Sequence, residues 1–262
     1  MKRTNVVLWL VLGLLSGCNC GGSSEADAGV IDGGCVKAAN KALQFSGSQY
    51  VVAPDSPSLH VTTDLTVEAW VNFAQTVAFE CIVCKPFGTQ TGDSFAIWYQ
   101  EGAIYAGAAA TNTADGIGLQ WSPVSGQWYH LAFTYESSTR HQRLYVDAQL
   151  VAEGTAPSQP QYDSHPFYIG VDLNYGAAQG FFFGTIDEVR IWTSVRATEQ
   201  IGGDLRSCTP GSFVGLAAYF PMDEGVGQEA GDVSGNGNAA QLGASDAGES
   251  SDPTWITSTV PF

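Results

Sequence analysis

The sequence predicts an all-β protein in which two antiparallel sheets pack as a jelly-roll sandwich. Short apolar and aromatic stretches recur along the chain, and turn residues separate them. Residues 66–71 and 143–146 alternate between polar and apolar side chains, as half-buried strands do. Helical periodicity is almost absent. Together these observations indicate a sandwich of many short strands.

The predicted strands are runs rich in β-branched and aromatic residues, bounded by turn residues. In chain order they cover residues 42–45, 50–53, 65–73, 79–85, 94–100, 103–109, 116–121, 128–135, 142–146, 150–153, 167–171, 180–192 and 216–220. A single helical turn is predicted at residues 198–201, after residues 194–197.

Composition restricts the classes of function. The chain has 262 residues, 44% of them hydrophobic, which is enough for a core in one large domain or two small ones. It has 10 Lys and Arg against 26 Asp and Glu, a net charge of −16, yet only 14% of its residues are charged. Such a composition suits an extracellular β protein. Nucleic acid is excluded as a partner, because phosphate binding needs clusters of Lys and Arg that this sequence lacks.

The N-terminus predicts export. Lys2 and Arg3 precede an apolar run at residues 6–15, so residues 1–17 have the pattern of a signal peptide. The run is too short to span a hydrocarbon core, which needs about 20 residues. Residues 15–18 (Leu-Ser-Gly-Cys) resemble the bacterial lipobox, whose cysteine is acylated. We expect a protein of the bacterial cell envelope, lipid-anchored through Cys18 at the outer membrane or cell surface; an ordinary cleavage site with a chance cysteine is the alternative.

Residues 18–35 are expected to form a flexible acidic tether, because they are rich in Gly and acidic residues and have few large apolar ones. Such a tether has a root-mean-square reach of roughly 20–25 Å. It would hold the folded domain, residues 36–262, just off a lipid surface. Membrane contact is therefore expected through the lipid anchor only.

Eight segments, in order, resemble the motifs of one family. They are residues 42–47, 50–59, 65–71, 128–132, 143–147, 184–192, 215–225 and 232–238. They resemble LamG-like jelly-roll domains, the bacterial laminin G group of the concanavalin A-like lectin/glucanase fold, over residues 42–242. The resemblance implies two antiparallel sheets packed face to face, with Trp70, Trp128 and Trp192 as core anchors.

One hairpin departs from the family pattern. Asp147 and Ala148 stand where the family usually has Asp-Gly. A type I′ turn would force Ala148 to positive φ. We therefore expect a different or a strained turn.

The resemblance does not imply catalysis. Enzymes of the wider group use two carboxylates that alternate on one strand, whereas Asp187 and Glu188 are adjacent and so face opposite sides of a strand. The sequence also lacks the His-Glu-x-x-His and Gly-x-Ser-x-Gly motifs. We expect a protein that is not an enzyme, with glycoside hydrolysis as an alternative.

The resemblance suggests calcium as a cofactor. Laminin G-like domains often hold one Ca²⁺ through acidic side chains and carbonyls, and Asp187 is the acid here that stands in a family motif. The alternative is that Asp187 caps the chain or pairs with Arg190. Ser46 and the pair Ser48-Gln49 replace acids that the family commonly places beside the position of Gly47. That departure weakens the calcium prediction.

Aromatic residues outside the family motifs are the candidate ligand-binding residues. Sugar stacking is possible for Trp98, Tyr105, Trp121, Tyr175 and Phe182, the last of which lies in the stretch 179–183. The alternative for each is burial in the core.

Five cysteines remain after Cys18. They are Cys20, Cys35, Cys81, Cys84 and Cys208. Cys81 and Cys84 lie in one predicted strand, which would separate them by about 10 Å, beyond the roughly 7 Å limit for a disulfide unless a bulge or turn intervenes. A disulfide between Cys35 and Cys208 is the preferred pairing.

The sequence thus predicts a lipid-anchored, non-catalytic cell-surface module that recognises a carbohydrate or a protein. The alternative is a structural envelope lipoprotein that acts through protein–protein contacts. The expected partners are a glycan or an envelope or extracellular protein.

Overall fold

The computed structural model describes residues 40–207 and 209–262. Four predictions fall wholly or partly outside these residues: the signal peptide, the acylation of Cys18, the acidic tether and the disulfide between Cys35 and Cys208. They stay predictions.

The described residues form eighteen strands, one α-helix and a 3₁₀ turn at Pro57–Leu59. The helix α1 is Thr198–Asp204. The strands are β1 Lys41–Ser46, β2 Val51–Ala53, β3 Leu65–Phe73, β4 Phe79–Phe87, β5 Gly92–Gln100, β6 Ala103–Ala110, β7 Ile117–Gln120, β8 Trp128–Glu136, β9 His141–Val146, β10 Gln149–Thr155, β11 Phe167–Ile169, β12 Asp172–Asn174, β13 Ala177–Gln179, β14 Phe183–Trp192, β15 Leu216–Phe220, β16 Glu229–Ala230, β17 Ala240–Leu242 and β18 Thr254–Thr257.

Two eight-stranded antiparallel sheets make the sandwich. The first sheet has the order β10-β9-β8-β3-β14-β1-β18, and β15 also pairs with β14. The second sheet has the order β16-β17-β2-β11-β4-β5-β6-β7. Strands β12 and β13 form a separate hairpin. The predicted all-β sandwich is confirmed.

The core lies between the two sheets because alternate side chains of each strand point inward. Strand β3 contributes Val67, Ala69 and Val71, and β5 contributes Phe95 and Ile97; all are fully buried. The intervening residues therefore point to the outer faces. This alternation decides which side chains of the second sheet can meet a ligand.

The tryptophans implied as core anchors occupy three different environments. Trp70 and Trp192 are buried, but Trp70 packs on His130 and Trp192 belongs to a small cluster with Leu216 and Tyr219, apart from the main core. Trp128 is only partly buried, and its indole Nε1 donates a hydrogen bond to Thr259 Oγ1 at 2.9 Å. The expectation for Trp128 is therefore wrong.

The short strands β12, β13, β16, β17 and β18 were not predicted, and two predicted elements differ clearly in extent. Helix α1 runs to Asp204, three residues beyond the predicted turn, and covers the outer face of the first sheet near Ala132 and Tyr145. The predicted strand 180–192 begins at Phe183 instead, since Gly180 has a φ of 60° and ends the pairing of the preceding hairpin.

The β9–β10 hairpin confirms the expected strained turn. Asp147 and Ala148 have φ values of 49° and 60°, so both central residues are left-handed, as a type I′ turn requires. Ala148 is strained in this conformation because its Cβ atom, which a glycine lacks, disfavours positive φ.

Among the described residues, no helix combines the length and the apolar character that a membrane span requires.

Candidate functional site

A pocket of about 330 Å³ lies on the outer face of the second sheet. Strands β4 and β5 form its floor, and the β12–β13 hairpin and residues 111–113 form its sides. The hairpin is held against β4 by the backbone hydrogen bond from Cys81 N–H to Gly180 O at 2.7 Å. The volume lies in the range of small-molecule sites.

Two stacked aromatic rings lie on this face. Trp98 on β5 and Tyr105 on β6 are direct cross-strand partners, with ring centroids 5.5 Å apart and planes 14° apart. Trp98 lines the pocket and is 7% exposed, while Tyr105 is half-buried beside it. The sequence named both residues as candidates, and the strand register brings them together.

Glycines make room for the two rings. A Cβ at Gly118 would lie 2.4 Å from Tyr105 Cδ1, and one at Gly116 would lie 2.6 Å from Trp98 Cη2. Real Cβ atoms do not approach other atoms so closely. The rings can therefore lie against the backbone of the neighbouring strand only because these two positions have no side chain.

Polar side chains surround the aromatic wall. Gln100 and Gln179 line the pocket, and neither side chain hydrogen-bonds another described residue. The loop that bears Asn112 is held in shape by Asp115, whose Oδ2 accepts hydrogen bonds from Thr111 N–H at 3.0 Å and Thr111 Oγ1 at 2.5 Å. The pocket thus presents free amides beside a fixed loop.

A thiol and two carboxylates meet at the base of the pocket. Ligand atoms of Cys84, Asp93 and Asp172 all lie within 4.8 Å of one another. The Cys84 thiol donates to Asp172 Oδ1 at 3.3 Å. Asp172 is further held by Leu173 N–H at 2.7 Å on Oδ1 and by Asn174 Nδ2 at 2.7 Å on Oδ2. We call Cys84, Asp93 and Asp172 the thiol–carboxylate cluster.

Burial dominates the electrostatics of this cluster. Asp93 is partly exposed as a residue, but desolvation of its carboxyl group raises its pKa well above the usual value, and the neighbouring Asp172 raises it further. Desolvation likewise raises the pKa of Asp172, against its hydrogen bonds. The pKa of the Cys84 thiol is raised well above normal, again chiefly by burial.

Cys81 and Cys84 lie on the same face of β4, which the expected extended strand does not allow. The pairing of β4 with β5 shifts between Cys81 and Val83, so a bulge turns both thiols toward the outer face. The two thiols are within hydrogen-bonding reach, and both are reduced. Burial raises the pKa of Cys81 to about 12. The prediction of a wide separation held only for a strand without a bulge, and this strand has one.

The other candidate aromatic residues lie elsewhere. Tyr175 is 68% exposed at the turn of the β12–β13 hairpin, next to Asn174, which lines the pocket. Trp121 is partly buried and packs edge-on against Phe73 and Tyr129. Phe182 is fully buried and contacts Phe73 with ring centroids 5.1 Å apart. Phe182 therefore cannot reach a ligand, and that part of the expectation is wrong.

Asp187 is engaged inside the first sheet. Its Oδ1 accepts a hydrogen bond from Glu188 N–H at 2.9 Å, and its Oδ2 accepts one from Ser258 Oγ at 2.7 Å. Arg190 pairs with Glu188. Within the described residues, the set of three ligand side chains close enough to hold a metal does not include Asp187. Calcium binding there stays a prediction.

A second buried polar cluster joins α1 to the first sheet. Glu68 lies 3.4 Å from His130 Nε2 and 3.9 Å from Arg196 Nε, and Arg196 pairs with Asp204 at the end of α1. All four residues are nine-tenths or more buried. We interpret this cluster as structural.

Sequence reasoning missed Asp93, Asp172 and the role of Cys84. Asp172 directly follows the predicted strand 167–171, and Asp93 directly precedes the predicted strand 94–100. Acids at strand ends were the available signal. Nothing in the sequence says that these two ends meet.

The family model described as the concanavalin A-like lectin/glucanases superfamily matches residues 45–202 of the chain. This match covers the pocket, the thiol–carboxylate cluster and the strands beneath them. No curated protein matches the sequence.

Solved structures share the fold at low identity. A Bacteroides ovatus protein, provisionally described as carbohydrate binding, aligns with a TM-score of 0.65 and 18% identity over 85% of this chain. The chain spans 61% of that protein. The heptameric SAP-like pentraxin of Limulus polyphemus aligns with a TM-score of 0.51 and 15% identity, over 68% of this chain and 86% of its own. The CBM40 of the Ruminococcus gnavus IT-sialidase aligns with a TM-score of 0.51 and 11% identity, over 62% of this chain and 95% of its own.

Proposed function

The chain belongs to the concanavalin A-like lectin/glucanase superfamily, and we propose that it is a non-catalytic module that binds carbohydrate in the outer-face pocket. The stacked pair of Trp98 and Tyr105 beside free amides carries the proposal. A sugar ring has an apolar C–H face and a rim of hydroxyl groups. An aromatic ring that is bordered by hydrogen-bonding side chains matches both.

The polar residues of the pocket suit hydroxyl groups. The amides of Gln100 and Gln179 each offer two donors and one acceptor oxygen, whereas the amide of Asn112 is hydrogen-bonded within its own loop. Within the part of the chain that the structure describes, the pocket is lined by no Lys, Arg or His, which favours a neutral sugar over an anionic one. The description of the Bacteroides ovatus protein agrees with this proposal, although 18% identity supports the fold alone.

One observation favours glycoside hydrolysis as a second candidate. Asp93 and Asp172 lie close together in the pocket, and burial raises both pKa values, as expected of a catalytic acid. However, both oxygens of Asp172 are occupied by donors, from Leu173, Asn174 and Cys84. A base or nucleophile needs a free oxygen aimed at the substrate. Binding without hydrolysis is therefore the function we propose.

We further propose that the module works outside the cell. Residues 1–17 would act as a signal peptide that directs its export, and a lipid on Cys18 would anchor it. The glycan would then be one that is carried by the envelope or present in the surroundings.

A glycan array probed with the full-length chain tests the proposal, followed by calorimetry on any sugar that binds. Gln179→Ala and Gln100→Ala remove pocket amides that hydrogen-bond no other described residue, so we expect binding to weaken by about 1 kcal/mol for each lost hydrogen bond while the fold is retained. Gln127→Ala is the matched control, because Gln127 is exposed in the turn before β8 and does not line the pocket.

Three results would contradict the proposal. They are no binding to any glycan, equal weakening by Gln127→Ala, and release of reducing sugar from a polysaccharide panel. The first would favour an envelope protein that acts through protein contacts. The last would favour hydrolysis by Asp93 and Asp172.

A further inference from the structure

We infer that the thiol–carboxylate cluster is a binding site for one zinc ion, with Cys84, Asp93 and Asp172 as its ligands. The inference does not depend on sugar binding. It rests on the spacing of three ligand atoms, on the support around them, and on the lack of a positive charge beside two carboxylates.

The spacing is close to that of a metal site. In a tetrahedral zinc site the ligand atoms lie roughly 3.3–3.8 Å apart, given Zn–S of about 2.3 Å and Zn–O of about 2.0–2.2 Å. The Cys84 sulfur and Asp172 Oδ1 are already 3.3 Å apart, and the whole set lies within 4.8 Å. Side-chain movement of about an ångström or less would complete the site.

The three ligands come from rigid elements. Cys84 is in the middle of β4, Asp93 is on the neighbouring strand β5, and Asp172 begins β12. Asn174 Nδ2 donates to Asp172 Oδ2 at 2.7 Å and so orients that carboxylate. Metal sites characteristically have such a supporting residue behind a ligand.

The described residues that line the pocket supply no cation to the two carboxyl groups. The Asp93 carboxyl group has no hydrogen bond to any other described residue, and its close electrostatic neighbour is another carboxylate. No described residue that lines the pocket is a Lys, an Arg or a His. A buried pair of acids without a cation is unfavourable unless protons or a metal ion neutralise it.

The chemistry of the ligands selects the metal. A thiolate is a ligand for zinc and other soft or borderline ions, whereas Ca²⁺ and Mg²⁺ prefer oxygen alone. Binding would displace the Cys84 thiol proton into solvent, so the bound ligand is the thiolate and Asp172 Oδ1 loses the thiol donor that occupies it in this structure. Asp93 and Asp172 line the pocket, which gives the ion an entry path and leaves its fourth position facing the pocket.

The test uses the full-length chain, reduced and stripped of metal, then equilibrated with zinc alone and passed through a desalting column. Other cysteines of the chain can also bind zinc, so the measured quantity is the difference in zinc per chain between variants. We expect Cys84→Ser and Asp172→Asn each to lose one equivalent. Asn174→Ala should keep the site but weaken it by about 10–100-fold, as the loss of a positioning residue does.

Asp93→Asn should also lose one equivalent, and it is the variant least expected to misfold, because the Asp93 carboxyl group hydrogen-bonds no described residue and the amide has the same shape. Asp246→Asn is the charge control, since Asp246 is exposed and lies in the loop before β18. Cobalt in place of zinc should give equal thiolate-to-metal charge-transfer absorption in the wild type and in Asp246→Asn, and weaker absorption in Cys84→Ser. Circular dichroism and the melting temperature establish that each variant is folded.

Three results would overturn the inference: equal zinc content in folded wild type and all three ligand variants, tighter binding of calcium than of zinc, or a disulfide between Cys81 and Cys84 in protein mapped without reductant. No sugar is present in these measurements. A negative result therefore leaves the proposed carbohydrate binding intact, and a failed glycan array leaves the zinc site intact.

Discussion

Glu188 occupies a left-handed backbone position inside β14, with a φ of 56°, and its carboxylate pairs with the guanidinium of Arg190 two residues further along the same strand. The pairing of β14 with β3 shifts between Asp187 and Arg190, so Glu188 is the bulged residue. Tyr219 Oη donates to Glu188 Oε2 at 2.6 Å, and its ring lies 4.9 Å from the Arg190 guanidinium carbon. The bulge lets Ile186 and Val189, which are three residues apart, both enter the core.

Glu188→Gln should destabilise the protein by about 3–5 kcal/mol, the usual cost of removing one partner of a buried ion pair. Glu188 and Arg190 are both at most 1% exposed, so water cannot solvate the Arg190 charge that the substitution leaves unpaired. Urea unfolding of wild type and variant measures the difference. The double variant Glu188→Gln/Arg190→Met should cost less than the two single changes together, because it leaves no unpaired buried charge. Additive costs would contradict this account.

Gly118→Ala should lower stability by about 1–3 kcal/mol, since the new methyl group would lie 2.4 Å from Tyr105 Cδ1 and 2.9 Å from Ile104 O. The displaced Tyr105 ring would no longer stack on Trp98, so any sugar bound there should also bind more weakly. Gly203→Ala is the matched control. Its Cβ would meet nothing within 4 Å, and alanine in α1 should raise stability by up to about 1 kcal/mol. Thermal unfolding of both variants tests the difference.

Ala148→Gly should stabilise the protein, because Ala148 has a φ of 60° and a left-handed L-residue costs about 1–2 kcal/mol. Part of that gain is lost with the methyl contact to the small cluster of Ala132, Tyr145 and Ile201. We expect a net gain of about 0.5–1 kcal/mol in urea unfolding. Asp147→Gly relaxes a similar φ but removes the hydrogen bond that Asp147 Oδ1 accepts from His130 N–H at 2.8 Å. It should show no such gain.

The fold could be predicted from the sequence because it depends on local signals. Alternation and turn residues identify strands such as β3 and β9 without knowledge of their partners. The family motifs then fix the order of the strands. Local signals do not reveal β-bulges. The bulges near Cys81 and Glu188 decide which side chains of β4 and β14 lie on the same face of their sheet.

The candidate site was predictable only in part. Trp98 and Tyr105 could be named as aromatic strand residues, but their stacking depends on the register of β5 with β6. Asp93 and Asp172 are far apart in the chain, and only the position of the β12–β13 hairpin brings them together. Phe182 was named as a ligand-binding candidate but is fully buried. It lies between two other phenylalanines, and the sequence does not show which of the three faces the core.

Cys18→Ser should release the protein from the membrane fraction of a bacterial host, if Cys18 carries the lipid anchor that the pattern at residues 15–18 predicts. Detergent-phase partitioning of wild type and variant measures the change, and the intact mass of the N-terminal peptide identifies the acyl chains. Cys20→Ser is the matched control, because it removes a thiol two residues away and leaves the pattern intact. An equal membrane fraction for wild type and Cys18→Ser would contradict lipid anchoring.

Glu80 should make stability fall as the pH rises through the neutral range. The Glu80 carboxylate on β4 accepts hydrogen bonds from Phe183 N–H at 3.0 Å and Val77 N–H at 3.2 Å, yet burial raises its pKa from 4.5 to about 7. Between these two values the folded protein binds more protons at Glu80 than the unfolded chain does. The free energy of unfolding should therefore decrease as the pH rises through this window, by at most about 1.4 kcal/mol per pH unit. The stabilisation from the protonated Glu80 carboxyl group is fully present only below the ordinary pKa of a glutamate.

Other acids titrate in the same window, so the test compares pH slopes between variants. Glu80→Gln cannot titrate, and its urea midpoint should fall less than that of the wild type between about pH 5 and about pH 8. Its absolute stability should be lower at acid pH, because an amide has one acceptor oxygen for the two backbone N–H groups that the carboxyl group holds. Glu229→Gln changes an exposed glutamate and should keep the wild-type slope. If Glu80→Gln also keeps that slope, the raised pKa of Glu80 is wrong, since no other substitution in the comparison removes a buried titrating group.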